Sequence, residues 1–357
     1  MSGEGGESAY LHKQRMRILL PIVLLIPTVA VAVYSVSVSL FSYTFDDAID
    51  IIVRHLKDEL TDDYHDYLMN KMVFEGTLPR AVGGVIIGAI LAISGAVMQY
   101  IIRNPLADSY TTGISSGALF GVTIFVLLDI SVLGMSGDKG MIANALIFSL
   151  VPSAIMIVFS FKKKATPTMM VLVGIATMYM FSSATMFLKF NAEPDELEML
   201  YEWGLGSLFK VGWSDIPYLI AALVALFAFS MVMSKKIDVL ASGDNSSISL
   251  GVNPFLIRVL CLVVSALCTA VAVSFSGTIG FVGLVIPHLA RMLVGSKSKL
   301  LIPCSAVLGG FLLITADSIA RVAGGNTALP VGVLTALIGT PIFLYFLLKS
   351  RDSSWGK

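Results

Sequence analysis

The chain has 357 residues, of which 56% are hydrophobic and 13% are charged, and its formal net charge is zero. A soluble domain carries about 25% charged residues, and no folded core of this size could hide so much apolar surface from water. The composition excludes a soluble globular protein, and the zero net charge excludes a general electrostatic attraction to nucleic acid.

Apolar segments long enough to cross a membrane recur along the whole chain. A hydrocarbon core about 30 Å thick is crossed by about 20 apolar residues in a helix. Ten segments approach that length: 18–41, 81–102, 113–130, 142–161, 168–190, 215–234, 256–275, 280–295, 302–320 and 331–349. They predict an all-α fold, a polytopic membrane helical bundle of about ten transmembrane helices. It forms one domain at 18–349, with tails at 1–17 and 350–357.

The first segment resembles a secretory signal because basic residues precede it. It is longer than the roughly 7–15 apolar residues of a signal peptide and lacks a clear small-residue cleavage site. We therefore expect it to be retained as the first span.

The distribution of charge predicts the orientation in the membrane. If both tails are cytoplasmic, the cytoplasmic segments hold twice as many Lys and Arg residues as the outer segments, as the positive-inside rule requires. Acidic residues crowd into segment 42–78, which we predict to be an outer amphipathic loop beside an external partner. Its apolar face at helical spacing comprises Ile49, Ile52, Val53 and Leu56. Segment 235–255 is either an ordinary cytoplasmic loop or a surface for a cytoplasmic partner.

A polar turn follows the second apolar segment. It contains Arg103, Asn104, Pro105 and Asp108. Pro105 should end the helix, and Asp108, Thr111 and Thr112 could cap the next one. A capped cytoplasmic turn explains each residue separately. It does not explain the Gly-Ser-Ser-Gly sequence that follows, because irregular backbone at membrane depth needs surrounding protein or a water-filled cavity.

The stretch from Ser276 to Arg291 is the least typical of a membrane span. Three glycines, a proline, a histidine and an arginine interrupt its apolar residues. We predict a short span ended by Pro287, followed by a helix along the inner face. His288 has no His, Cys or acidic partner at a spacing that suits a metal or a catalytic pair. The three cysteines also lack metal or disulfide spacing, so we expect no metal site and no cofactor.

Asp317 is the one acidic residue of the ninth segment, and Arg321 follows four residues later. Two interpretations stay open: an i,i+4 ion pair near the outer end, or a docking or proton-coupling charge. The chain contains no G-x-x-x-x-G-K-[ST] loop and no catalytic constellation, so we expect it not to be an enzyme.

Taken together, these motifs resemble those of the permease subunits (FecCD type) of ATP-binding-cassette importers for iron-siderophores, haem and cobalamin. The resemblance covers about 78–349, most of the chain. The matching pieces are Leu78–Arg80, Ser94, Gly95, Gln99, Arg103–Asp108, Gly113–Ala118, Ser276, Gly277, Gly280–Arg291, Ala316, Asp317, Arg321, Leu329–Val333, Thr335, Ala336, Gly339 and Pro341. Two features depart from the pattern: Ser109 stands where proline is common, and segment 57–76 is longer and more acidic.

The resemblance implies a homodimer of ten-helix subunits in the cell membrane, with the translocation path at the dimer axis. Two cytoplasmic ATP-hydrolysing subunits would bind below, and an extracellular or periplasmic binding protein would deliver an iron-siderophore, haem or cobalamin-type chelate. Transport would proceed by alternating access. The alternative function is an ion-coupled secondary transporter that uses Asp317.

The resemblance also implies roles for individual residues. The coupling region at 284–292 would contact the ATP-hydrolysing subunit through Leu284, Ile286, Pro287, His288, Leu289, Arg291 and Met292. The translocation path would be lined near Ser115, Ser116, Gly117 and Ala118. Docking of the binding protein would use Arg321, Arg54 and Lys57. Structural roles would fall to Arg80, Arg103, Asn104, Pro105, Asp108 and Asp317.

Overall fold

A computed structural model describes residues 4–38, 43–60, 63–108, 111–163, 166–324 and 329–349. The predicted C-terminal tail at 350–357 and Ser109 lie outside these residues. Every regular element in the described ranges is helical. The α-helices are α1 (Glu4–Ser37), α2 (Phe45–Leu56), α3 (Tyr64–Met72), α4 (Leu78–Ile102), α5 (Ile114–Leu128), α6 (Gly137–Lys163), α7 (Pro167–Lys189), α8 (Pro194–Leu205), α9 (Ile216–Ala241), α10 (Asp244–Ser249), α11 (Pro254–Ser276), α12 (Val282–Val294), α13 (Ser298–Ala323) and α14 (Val331–Lys349).

Seven of the helical segments are long and apolar enough to cross a membrane. They are Met16–Ser37, Tyr64–Ile102, Gly137–Phe161, Pro167–Lys189, Ile216–Ala241, Pro254–Ser276 and Ser298–Ala323. Three shorter apolar helices, α5, α12 and α14, coincide with the other three predicted segments. The chain is therefore an all-helical, multi-pass membrane protein. That all ten helices cross the membrane stays a prediction.

Helix α4 lies at the centre of the bundle and is buried along almost its whole length. It packs against α9, α11, α12 and α13. Glycines permit this packing: a Cβ added to Gly88 would lie 2.3 Å from the carbonyl oxygen of Gly309, and one on Gly95 would lie 1.9 Å from that of Gly283. In lipid, helices associate through such close backbone contacts because water does not drive them together.

The acidic segment forms a helical hairpin, α2–α3, which continues through a π-helical turn at Val73–Thr77 into α4. Thr44 caps α2 and accepts a hydrogen bond from the Asp47 amide. Helix α2 carries the predicted apolar residues at helical spacing, and most of them face away from the bundle; that this face lies beside an external partner stays a prediction. Ala48 and Ile51 are buried, whereas Leu56 is 73% exposed. The small Ala48 side chain lets this other face of α2 pack closely against the bundle.

The polar segment predicted at 235–255 is shorter than expected. Helix α9 continues to Ala241, and α11 starts at Pro254, with Asn253 accepting a hydrogen bond from the Leu256 amide as its N-cap. Lys235 and Lys236 are good helix formers, so they extend the span rather than end it. Between the two helices lies the 242–253 loop, which includes the short helix α10.

The expectation that Pro287 ends a helix is also wrong, because Pro287 lies inside α12. A proline leaves the carbonyl four residues earlier without its helical donor, here that of Gly283. The side-chain amide of Gln99 supplies a replacement, since its Nε2 lies 3.5 Å from the Gly283 oxygen and 3.2 Å from the Leu284 oxygen. Contact with α4 thus stabilises the proline within the helix.

Candidate functional site

A cavity of about 900 Å³ opens beside α8, α12 and α14. Its lining is Asp108, Thr111, Gly204, Leu205, Thr278, Gly280, Phe281, Leu284, Gly332, Val333, Ala336, Leu337, Thr340 and Pro341. Most of these side chains are apolar or small, and Asp108 is the one charged residue among them. The cavity can therefore surround a bulky molecule without binding it through several ion pairs.

The end of α8 and the start of α14 meet through the irregular segment that precedes α12. The Ser207 amide donates to the Ser276 carbonyl at 2.8 Å, and the Thr278 hydroxyl donates to the Gly204 carbonyl. A Cβ on Gly332 would lie 2.1 Å from the Leu205 oxygen, so only glycine fits there. Three glycines, Gly204, Gly280 and Gly332, thus contribute to the wall of the cavity.

Two of the lining residues, Phe281 and Asp108, are held in place by their surroundings. Phe281 precedes α12 with a φ of 67°, a conformation that side chains rarely adopt, and its ring lies against Gly339 of α14. Asp108 is buried, and its Oδ1 accepts a hydrogen bond from the Thr111 amide at 3.0 Å. Asp108 therefore caps the turn that follows it. It does not cap α5, as we had expected, because α5 begins after Gly113 without a side-chain cap.

The residues predicted to lie near the translocation path do not line this cavity. Ser115, Gly117 and Ala118 are buried, and a Cβ on Gly117 would lie 2.5 Å from the Phe148 oxygen of α6. Ser116 donates its hydroxyl to the Gly113 carbonyl. The small residues at Ser115–Ala118 belong to the contact between α5 and its neighbours, and none of them is among the residues that line this cavity. That they lie near the translocation path stays a prediction.

At one end of α4, Arg103, Asp244 and Arg258 form what we name the Asp244 cluster. Arg258 Nη1 donates to Asp244 Oδ2 at 2.9 Å, and its Nε donates to the Ile101 carbonyl at 3.0 Å. Arg103 Nη2 lies 3.2 Å from Asp244 Oδ1. The hydrogen bond from Arg258 is the main cause that lowers the pKa of Asp244 below its ordinary value. The cluster ties the 242–253 loop to the bundle.

Sequence analysis missed Arg258, although an arginine near the start of an apolar segment is a signal for a buried partner. It did find the rest of the turn. Arg103 ends α4 in a left-handed conformation, with a φ of 50°. Asn104 Oδ1 accepts from the Leu106 amide at 2.9 Å across Pro105.

At the opposite end of α4, Arg80, Asp317 and Arg321 form the Asp317 cluster. Arg80 Nη2 donates to Asp317 Oδ1 at 2.7 Å, and Arg80 Nε lies 3.0 Å from Oδ2. Arg321 Nε is 3.2 Å from Oδ2. The i,i+4 pair that the sequence indicated is therefore present, but Arg80, 237 residues away in the chain, makes the hydrogen bonds.

Comparison with known proteins identifies the family of this chain. The model of the FecCD transport family matches residues 24–349. The chain belongs to the FecCD transport family. A provisionally named ABC transporter permease protein of Methanocaldococcus jannaschii is 32% identical over 94% of this chain and 95% of its own length.

Two other proteins, a curated relative and a solved structure, resemble this FecCD chain over most of its length. The cobalamin import system permease protein BtuC of Halobacterium salinarum is 39% identical over 77% of this chain and 72% of its own. A solved structure described as an inward-facing conformation of a provisionally assigned metal-chelate type ABC transporter has a TM-score of 0.79. It is 28% identical and covers 92% of this chain and 99% of its own. The chain is a multi-pass membrane transport permease subunit.

The residues to which the family resemblance gave a coupling role range from buried to exposed in this FecCD bundle. Ile286 and Pro287 are buried in α12, which packs against α4, α13 and α14. Arg291 Nη2 donates to Gln99 Oε1 at 3.2 Å. Of the apolar face predicted for coupling, Ile286 is buried, Leu289 is half-buried and Met292 is exposed. Leu284 lines the cavity, and His288 and Leu289 are half-buried.

The predicted docking residues differ in accessibility. Arg321 is buried, so its guanidinium is not on the surface of this chain. Arg54 donates to both carboxylate oxygens of Asp66, and this hydrogen bonding is the main cause that raises the pKa of Arg54 above its ordinary value. Lys57 is exposed. Of the three, Lys57 is the freest to meet another protein.

Proposed function

We propose that this chain is the permease subunit of an ATP-driven importer for a bulky metal chelate of the siderophore, haem or cobalamin type. The observation that carries the proposal is the FecCD family match along residues 24–349. The name of the Halobacterium relative, a cobalamin import permease, and the metal-chelate type of the structural neighbour support this class of cargo.

The cavity chemistry favours a large cargo that is bound weakly. A volume of about 900 Å³ is at the upper end of the range for small-molecule pockets. The mostly apolar lining offers few hydrogen-bond partners, so a chelate could pass without a tight intermediate. Two copies of the chain would face one another across the exposed side of this cavity, where Leu337 is 67% exposed.

The proposed topology has ten crossing helices and both tails in the cytoplasm. Lys235, Lys236, Lys297 and Lys299 support it, because they lie on the Asp244 side of the bundle and favour the cytoplasmic face. The α2–α3 hairpin would then face outward. There it would meet the binding protein that delivers the chelate, and exposed Lys57 would contribute to docking.

The motor would dock on the 242–253 loop rather than along α12. Ile248 and Leu250 are 64% and 66% exposed, and the Asp244 cluster holds their loop against the bundle. Large apolar side chains on a polar loop are typical of a protein contact. ATP binding would move this loop and shift the helices between two packings by alternating access; Met292 would lie at the edge of the contact.

The first experiment separates this function from ion-coupled transport. Vesicles containing the chain and its ATP-hydrolysing subunits are assayed for uptake of cobalamin, haem and a ferric siderophore. Uptake should stop when ATP is withheld and survive when ion gradients are dissipated. The opposite result would assign a secondary transporter. The engagement of both Asp317 oxygens by Arg80 already disfavours that rival, because it leaves the carboxylate poorly placed to bind a coupling cation.

The second experiment tests the motor contact. Ile248→Asp should abolish copurification of the ATP-hydrolysing subunits, because it places a charge in an apolar contact. Leu56→Asp is the matched control, since it makes the same kind of change at an exposed residue of the α2–α3 hairpin, and copurification should persist. If Met292→Asp disrupts the complex and Ile248→Asp does not, the motor docks on α12 instead.

A further inference from the structure

Helix α2 has an apolar face that the bundle leaves uncovered. The large apolar residues of this face and their exposed fractions are Phe45 (41%), Ile49 (37%), Val53 (40%) and Leu56 (73%). They recur every three or four residues, so they lie on one side of the helix. A contiguous exposed apolar face indicates contact with a membrane or with another protein. The position and the other sides of α2 distinguish between these two.

Helix α2 has three sides of different character, spaced about 120° apart at about 100° per residue. Ala48 and Ile51 form the side that is buried in the bundle. The apolar face is the second side, with Leu56 near its centre. The third side is charged and contains Asp46, Asp47, Asp50 and Arg54. A helix that lies in the membrane boundary beside a bundle needs this arrangement, with one side toward protein, one toward lipid and one toward water.

Hydrogen bonds hold the start of α2 level with the end of the first membrane segment. The Val36 carbonyl, in the last turn of α1, accepts from the Tyr43 hydroxyl at 3.0 Å and from the Thr77 hydroxyl at 3.1 Å. The segment Met16–Ser37 has 22 residues. At 1.5 Å per residue it is about 33 Å long, close to the thickness of the hydrocarbon core. Its end, and therefore the start of α2, lies at the boundary between the acyl chains and the headgroups.

The exposed surface of α1 continues into the apolar face of α2. Near the end of α1, Val33 and Tyr34 are 42% and 62% exposed, and a spanning helix contacts lipid and headgroups through such residues. Val31 of α1 packs against the same cluster of buried side chains as Ile52 of α2. Ile52 is one helical turn from Leu56, so these two residues are neighbours on the helix surface. The apolar face of α2 therefore adjoins a surface that already faces lipid.

We propose that the apolar face of α2 is embedded in the membrane boundary and anchors the α2–α3 hairpin to phospholipid. The anchor acts by burial of apolar side chains among acyl chains. The charged side carries three carboxylates and one guanidinium, and Arg54 is paired with Asp66, so α2 offers no attraction to anionic headgroups. The anchor should therefore act equally in zwitterionic and anionic lipid. An external protein that approaches from the water would meet only the charged side.

A fluorescent label on the apolar face tests its depth in the membrane. Full-length Leu56→Cys is labelled with bimane and placed in phosphatidylcholine nanodiscs. Cys261, Cys268 and Cys304 are buried, so the unmodified chain gives the labelling background. Emission is compared with that in nanodiscs whose phosphatidylcholine is brominated near the glycerol end of its acyl chains. An interfacial helix buries its apolar face about 5–10 Å into this region, so the brominated lipid should lower the emission about two-fold.

Asp50→Cys is the matched control. Asp50 lies on the charged side, about 120° around the helix from Leu56. Its side chain is 65% exposed and forms only a 3.7 Å ion pair with Arg54. The label at this residue should be quenched by iodide in the water and be unaffected by the brominated lipid. Addition of phosphatidylglycerol should change neither result. A second test needs no variant: phosphatidylcholine with a diazirine near the glycerol end of its acyl chain should crosslink to residues 45–56 of the unmodified chain.

Three results would overturn the proposal. The first is quenching of the Leu56 label by iodide but not by brominated lipid, with no lipid crosslink on α2, which would place the apolar face in water. The second is protection of that label from both quenchers, which would assign the face to a protein partner or a second copy of the chain. The third is equal lipid quenching of the Leu56 and Asp50 labels, which would show that α2 has no fixed orientation. None of these results depends on the cargo or on the motor.

Discussion

The Asp317 and Asp244 clusters contain the same residue types, two arginines and one aspartate, but lie in different surroundings. The Asp317 side chain is 0% exposed and that of Asp244 is 34% exposed. Asp317 links two central helices, α4 and α13, whereas Asp244 links a loop to α4 and α11. The same three charges therefore stabilise the bundle at one end and hold a surface loop at the other.

The comparison shows how exposure to water changes the contribution of an ion pair to stability. Where water is excluded, removal of one partner leaves an uncompensated charge. Where water reaches the carboxylate, it replaces much of the lost interaction. Helix α4 supplies Arg80 to one cluster and is followed directly by Arg103 of the other, so both ends of one central helix are fixed by ion pairs of unequal strength.

The largest effect is expected for Asp317→Ala. It leaves Arg80 and Arg321 buried without a carboxylate, which should lower the free energy of unfolding by about 3–5 kcal/mol. The midpoint of thermal unfolding in nanodiscs and the yield of folded protein measure the change. Asp317→Asn keeps the shape and loses the charge, so it should also be strongly destabilised. An unfolding midpoint equal to that of the unmodified chain would show that the Asp317 cluster does not stabilise the fold.

A smaller effect is expected for Asp244→Ala. Arg258 is buried but keeps its bond to the Ile101 carbonyl, and the Asp244 side chain is 34% exposed, so water can take the place of the lost carboxylate. The free energy of unfolding should therefore fall by about 1–2 kcal/mol. The main result should be local: faster amide exchange in the 242–253 loop and weaker coupling to ATP hydrolysis. A global loss as large as that of Asp317→Ala would contradict the proposed difference between the two clusters.

The smallest effect is the pH dependence of the Asp244 cluster. Hydrogen bonding from Arg258 lowers the pKa of Asp244 below its ordinary value of 3.8. A carboxyl group with a lowered pKa stabilises the fold above that ordinary value, and this contribution disappears as the pH falls through the lower, folded-state pKa. Amide exchange in the loop, corrected for the intrinsic rate, should therefore stay constant from pH 7 to about pH 4 and rise below it.

The matched variant for this titration is Asp244→Asn, which has no carboxyl group to protonate. Its loop should already exchange faster at pH 7 and show no further rise from this source. If loop exchange in the unmodified chain increases near pH 6, a different group controls the loop.

Some local features of the site could be read from the sequence, and others could not. The glycines from Gly277 to Gly283 and the end of α4 near Arg103 were predictable, because glycine and proline limit the backbone locally. The support of Pro287 by Gln99 was not, since the two lie far apart in the chain. The sequence could not decide whether Ser115–Ala118 form a lining or a helix contact, because small residues are common in both.

The sequence by itself determined that the chain is a helical membrane protein and where its apolar segments lie, because membrane thickness sets segment length. Only the tertiary structure decided which charges meet. Arg80 with Asp317, and Asp244 with Arg258, pair across helices whose neighbours are chosen by side-chain packing, and periodicity along one helix carries no information about the partner that faces it.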